Sequence, residues 1–229
     1  MMLSAAELEI ISLSLKVAMT AVLFSLPLGV GAAWLLARYR FPGRDLVSGL
    51  IHLPLVLPPV VTGYVLLSLF GRSGPIGAWL EPLGIVFAFD WTGAALAAGI
   101  MGFPLMVRSV RLAFDMADSG LEQAAATLGA SPLQRFLTVT LPLALPGVIA
   151  GAVLAFAKAL GEFGATITFV SSIPGETRTL PLAIYSLTQV PGGEAAALRL
   201  VLISAGVSIL ALVVSEVMVR RATGGGGRT

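Results

Sequence analysis

Cysteine is absent from the 229-residue chain, and histidine occurs once, at His52. That excludes a disulfide framework and a thiolate metal site. With no second ligand type clustered near it, His52 reads as a packed or interfacial histidine. Charge is equally scarce: 11% of residues are Asp, Glu, Lys or Arg, against about 25% in a soluble domain. No Gly-rich loop is followed by the lysine of a nucleotide-binding motif, and no nucleophile elbow or His cluster appears. The chain is therefore expected to have no catalytic residues, no bound cofactor and no metal site. Any work driven by ATP would need a site on another subunit. The net charge of +2 says little by itself, and no nucleic-acid partner is expected. The N-terminus carries Glu7 and Glu9 and no early base, which is wrong for a cleaved secretory signal, so it is expected to be retained.

What is present is apolar. Hydrophobic residues make up 57% of the chain, and its mean hydropathy is +0.96. Only helices or closed barrels satisfy their backbone in lipid, and the runs lack the period-2 alternation of a barrel. The expected fold class is an all-α polytopic membrane protein with one transmembrane domain over 1–229. Five spans are expected at roughly 8–37, 46–70, 92–114, 143–170 and 200–219, with a loop at 115–142 and a flexible Gly-rich tail at 222–229. Pro27 and Gly29 predict a kink in the first span, where Lys16 can snorkel outward. Pro54, Pro58 and Pro59 predict a bent or broken second span. Trp79 and Trp91 suit a membrane interface. The segment 171–199 reads as a polar, Gly/Pro-rich loop. LPLVLPP (53–59) and LPLALPG (141–147) echo each other at two span starts.

The basic residues set the expected orientation. Arg38, Arg40, Arg44, Arg108, Arg111, Arg135, Arg220, Arg221 and Arg228 fall on one side. Arg72, Arg178, Arg199 and Lys16 fall on the other. The more basic side should be cytoplasmic, which puts the N-terminus outside, the C-terminus inside and the 115–142 loop in the cytoplasm.

That loop has internal order. Leu121 to Leu128 carries a short helix signal, and Gly129 offers a stop. Ser131-Pro132 offers a new start, with Ser at the N-cap and Pro at the first helical position. A second short helix should run to Thr140 and be broken by Leu141-Pro142. Helix, Gly hinge, helix makes a compact knob that can transmit motion to a soluble partner. The spacing Gln123-Ala124-Ala125, Gly129, Val139, Leu141-Pro142 resembles the EAA loop of ABC-importer permeases. It departs from that pattern at Gln123, where the motif has Glu (Glu122 stands one residue earlier), and at Val139, where it has Ile. The segments ALGEFGATITFVSSIPGETRTLPLAIYSLTQVPGGE (159–194), HLPLVLPPVVTGYVLL (52–67) and ARYRFPGR (37–44) are similar to the permease subunit of bacterial molybdate ABC transporters.

The resemblance implies a type I ABC importer permease in a bacterial inner membrane. It implies a homodimer with the pathway at its interface, an ATP-binding subunit dimer that carries the nucleotide, and a periplasmic or lipid-anchored molybdate-binding protein. ATP binding would turn the permease outward-open, and hydrolysis would reset it. Glu122, Gln123, Ala124, Ala125 and Gly129 would form the coupling helix, with Leu141 and Pro142 anchoring its return to the membrane. Some relatives carry an extra N-terminal span; this chain begins too close to its first span for one, which favours five. Selectivity is expected mostly in the binding protein. Tungstate or sulfate/thiosulfate therefore remains an alternative cargo.

Lys158 and Glu162, one helical turn apart, are the sharpest polar feature inside a span. Ionisable groups there are functional candidates. Lys158 could draw an anion toward the outer vestibule, with Glu162 tempering its charge and Thr166 and Thr168 extending a polar line. The alternative is a structural i, i+4 ion pair, with the hydroxyls bonded back onto their own helix. A stand-alone secondary transporter or channel would predict inverted repeats or several intramembrane charges. Neither is evident.

Overall fold

The computed structural model describes residues 4–224, and the side chains of these except at 215, 218 and 220–224. Arg228 and the end of the Gly-rich tail lie outside the described residues, as do the first three residues. The described chain is helical, with no strand among its residues. Helix α1 (Ala5–Arg38) opens with a capping box, in which Ser4 and Glu7 each bond the other's backbone N–H. It continues through Pro27. Helices α2 (Arg44–Val56) and α3 (Pro59–Phe70) follow, then the short α4 (Gly77–Leu80) and α5 (Trp91–Met116). The knob holds α6 (Ser119–Thr127) and α7 (Pro132–Arg135). Then come α8 (Leu141–Leu160), α9 (Gly164–Val170), α10 (Leu180–Thr188) and α11 (Glu194–Gly224).

Among the described residues four helical stretches are long and apolar enough to cross a membrane: Ala5–Arg38, Trp91–Met116, Pro132–Leu160 and Glu194–Val214. The pair α2 and α3 makes a fifth if it counts as one span, but it is bent by 112°. The cause is in the sequence: Pro59 forces Pro58 out of the helical region, to φ −53 and ψ 133, because a proline ring clashes with the preceding residue in the α conformation. Pro59 then starts α3, where its missing N–H costs nothing.

Three expectations differ from what is observed. Leu141-Pro142 does not break the chain's path. A π-turn over Phe136–Thr140 carries α7 straight into α8, with Leu141 N–H donating to the Phe136 carbonyl. The wider turn makes room for the Pro142 ring, which a regular α-turn would press against a carbonyl one turn back. The expected single span over 143–170 is instead two helices, parted at Gly161–Phe163. Finally, the expected loop at 171–199 contains α10 and the first turn of α11.

Helix α5 is the hub. It packs along α1 and α8 and carries more buried surface than the other spans. Its first half is Ala- and Gly-rich, and small residues let helix backbones approach closely where lipid supplies no hydrophobic drive. At one end, Ala94, Ala97 and Ala98 pack with Ala18, Phe169, Leu180 and Leu200. At the other, Met106, Val110 and Phe114 pack with Ala33, Leu36 and Ala144. Polar ties add direction to this packing. Ser14 Oγ receives the Leu180 N–H at 2.7 Å, and Arg199 Nε lies 3.2 Å from a Glu7 carboxylate oxygen. Lys16 sits over the Trp91 ring, 3.5 Å from its centroid. His52 is half-buried, with Nδ1 2.7 Å from the Ser48 carbonyl of its own helix.

Candidate functional site

The knob is built by capping. Asp118 accepts the Gly120 N–H at 2.7 Å and starts α6. At the other end Gly129 takes φ +86, its N–H donates to Ala126, and Ala130 N–H donates to Ala125. That crossed pair is the Schellman ending, in which the residue after the cap must be left-handed. Ser131 then caps α7 in a reciprocal box with Gln134. Gly129, Ser131 and Pro132 thus occupy the roles their residue types predict.

Two contacts fix the base of the knob to the membrane bundle. The first is polar. Glu122 Oε1 accepts from Arg38 Nη2 at 2.5 Å and from Thr140 Oγ1 at 2.8 Å. One carboxylate oxygen thereby joins α6 to the end of α1 and to the π-turn. The second is aromatic. Phe136, on the π-turn, packs edge-on against Trp34 of α1 with ring centroids 5.3 Å apart, and against Phe114 of α5 at 6.2 Å. Leu141 joins the same apolar cluster. Pro142 is exposed.

The tip is the opposite: Leu128 is 88% exposed and Leu133 67%, with Leu121 also in the open, as is Met116 at the end of α5. Gln123 and Ala124 are exposed, and Ala125 is half-buried. A Cβ placed on Gly129 would meet nothing within 4 Å. Apolar side chains grouped on a polar protrusion mark an interaction surface.

Sequence reasoning did not find Arg38 and Thr140 as partners of Glu122. The offset carboxylate was the available signal. Glu122 turns inward to the bundle, while Gln123, one residue on, faces out.

The second candidate lies where α8 gives way to α9. Lys158 Nζ lies 2.5 Å from Glu162 Oε2, and Glu162 Oε1 accepts the Ala165 N–H at 3.0 Å. The Glu162 side chain is 1% exposed, so both its oxygens are spent, one on a charge and one on an orphan donor of α9. Thr168 Oγ1 bonds back to the Gly164 carbonyl at 2.9 Å, and Thr166 is buried in α9. The structure brings Lys158 and Glu162 together and leaves Thr168 on its own helix. Helix α9 packs against α3 without room to spare. A Cβ on Gly63 would stand 2.5 Å from the Ala165 carbonyl oxygen and 2.9 Å from its Cα. The two breaks, after Val56 and after Leu160, therefore feed one tight pair of half-helices.

The sequence profile of the family described as binding-protein-dependent transport system inner membrane component matches residues 25–224. The molybdenum transport system permease protein ModB of Escherichia coli (strain K12) is 58% identical over 221 residues, 96% of each chain. The sulfate transport system permease protein CysT of the same organism is 38% identical over 194 residues, 84% of this chain and 70% of that one. Among solved structures, a chain of the inward-facing MetNI methionine ABC transporter superposes with a TM-score of 0.74. It covers 96% of this chain and 99% of its own, at 18% identity, which speaks for the fold alone.

Proposed function

The chain belongs to the family of binding-protein-dependent transport system inner membrane components, and from that membership we propose that it is the transmembrane subunit of an ATP-driven molybdate importer in a bacterial inner membrane. The observation that carries this is the 58% identity to a molybdenum permease across nearly the whole of both chains. On this reading the protein is a multi-pass permease rather than an enzyme. ATP is bound and hydrolysed by a partner subunit dimer, and a periplasmic or lipid-anchored binding protein delivers the anion. Two copies of the chain enclose the pathway.

The distribution of arginine supports five spans, with the N-terminus outside and the knob in the cytoplasm. The architecture of the knob supports a coupling role for Glu122, Gln123, Ala124, Ala125, Gly129, Leu141 and Pro142. Its tip offers Leu121, Leu128 and Leu133 to a groove, while the Glu122 tie and the Phe136 rings make its base stiff enough to pass a displacement to α1, α5 and α8. Coupling needs both properties, since a tip on a soft base would absorb the motion of the ATPase. Lys158 and Glu162 act at the α8–α9 break. They fasten the half-helix α9 to the end of α8, beside the pathway, with Thr166 and Thr168 on that half-helix.

The 38% identity to a sulfate permease favours one second reading, the same machine carrying sulfate. The deciding experiment is ATP hydrolysis by the permease–ATPase complex in liposomes with its binding protein, supplied with molybdate, tungstate, sulfate or no anion. Stimulation by molybdate or tungstate alone is expected. Stimulation by sulfate alone would keep the importer and change the cargo. An ATPase that never associates with the chain would overturn the importer.

A further inference from the structure

The geometry points to Arg178 as the residue that receives the tetrahedral dianion at the outer mouth of the pathway, an inference that rests on the importer reading above. The cations on the expected outer side differ sharply in what they touch. Lys158 is neutralised by Glu162 and Arg199 by Glu7. Arg72 lies 3.8 Å from Glu81, and Lys16 covers Trp91. Among the described residues Arg178 is the arginine of this set with no carboxylate partner, and its side chain is nonetheless held in place. Its Nε donates to Ser172 Oγ at 3.3 Å, Ser172 Oγ is 3.3 Å from Ser186 Oγ, and Ser186 Oγ donates to the Leu182 carbonyl at 2.8 Å.

That relay has a direction. Ser186 spends its proton on Leu182, so Ser172 donates to Ser186 and accepts from Arg178. The relay consumes Nε and leaves both terminal nitrogens of the guanidinium without a partner among the described residues. A fork of parallel N–H donors, fixed at its root and not paired to a carboxylate, suits two oxygens of a tetrahedral oxyanion.

The loop that carries Arg178 is rigid in a way a mere connector does not need. Ser171 takes φ 63 and ψ −166, a region costly for any residue with a Cβ. The fully buried Thr177 hydroxyl holds the loop closed. It accepts the Ile173 N–H at 2.9 Å and lies 3.1 Å from the Ser171 carbonyl. Ser172 and Arg178 are thereby set side by side at the end of α9, the half-helix packed on α3. A single guanidinium with no enclosing cage fits a point of passage, where an anion must be taken from the binding protein and then released.

The test uses the complete complex of permease, ATPase and binding protein in liposomes, and records radiolabelled molybdate uptake and ATP hydrolysis together. Arg178→Gln is expected to lower molybdate moved per ATP roughly tenfold, the equivalent of one charge-assisted hydrogen bond. The concentration of loaded binding protein that half-stimulates the ATPase should not change. Arg178→Lys, which keeps the charge without the fork, should fall between, and Ser172→Ala should show a smaller loss of the same kind. These two milder variants carry the test if Arg178→Gln fails to assemble. An unchanged ratio of molybdate to ATP in the variants overturns the inference. So does a raised requirement for binding protein at constant ratio, which would make Arg178 a docking contact. A wild-type complex that ignores molybdate and responds to sulfate would instead overturn the cargo, and the same ratios would then be read with sulfate.

Discussion

Glu122 and Arg38 meet at 2.5 Å across 84 residues of sequence, and the same carboxylate oxygen takes the Thr140 hydroxyl. The pair is about one-quarter exposed on each side, so its net contribution to folding is modest, on the order of 1 kcal/mol. Its value is positional. Glu122→Ala is expected to leave membrane insertion intact and to lower transport per ATP several-fold, because α6 then loses its tie to α1 and the base of the knob is held by the Phe136 rings alone. Thr140→Val should do the same more weakly. In a double-mutant cycle the two should be non-additive by roughly 0.5–1.5 kcal/mol, as residues sharing one bond network are. Full additivity in the measured uptake rates would separate the two contacts.

Gly129 distinguishes backbone strain from a lost interface. Its φ of +86 costs an L-residue about 1–2 kcal/mol, yet its missing Cβ faces open space within the chain. Gly129→Asn, which tolerates the left-handed region, should bind the ATPase nearly as well as wild type. Gly129→Trp should reach the membrane in normal amount and copurify with much less ATPase. Normal uptake by Gly129→Trp would place the docking surface elsewhere.

How much of this was legible beforehand follows from the range of the interactions concerned. The capping residues of the knob, Ser131, Pro132 and Gly129, act within a few positions of themselves, so their roles could be read from the sequence. Glu122's partners are 84 and 18 residues away, and no local rule reaches them. The two Leu-Pro echoes show the same limit. In 53–59, Pro58 and Pro59 are adjacent, the first is forced extended, and the helix breaks. In 141–147 the prolines stand alone, and a π-turn packed through Phe136 absorbs Pro142. The first outcome is local to its paired prolines, whereas the second rests on contacts of Phe136 with Trp34 and Phe114 that no local rule reaches. The α8–α9 break lies between Gly161 and Gly164. Its bolt, Glu162 capping Ala165, depends on a helix end that the apolar pattern conceals.

The close fit of α3 on α9 gives a steric prediction. Gly63→Ala puts a methyl group 2.5 Å from a backbone carbonyl oxygen of Ala165, which no rotamer change can relieve. The half-helices must separate, at a cost of roughly 1–3 kcal/mol for overpacking. Uptake should fall while ATPase copurification is preserved, since the knob is untouched. A Gly63→Ala complex with wild-type uptake would show that α3 and α9 part freely during the cycle.

Lys158 and Glu162 can be assigned by a charge-pair experiment. Lys158→Met strands a carboxylate whose side chain is 1% exposed, with only the Ala165 N–H left to it. Breaking a buried pair from one side costs about 3–5 kcal/mol, so the yield of folded protein should drop markedly. Glu162→Gln added to Lys158→Met removes the stranded charge, and the amide oxygen can still accept from Ala165. The double variant should therefore recover most of the lost yield. Its uptake then decides the role of the pair. Near-normal transport would mean that the two residues fasten α8 to α9 and that the anion does not need their charges. Uptake that stays low in well-folded double variant would mean that the ammonium group of Lys158 also acts on the anion, because restored packing would have left nothing else missing.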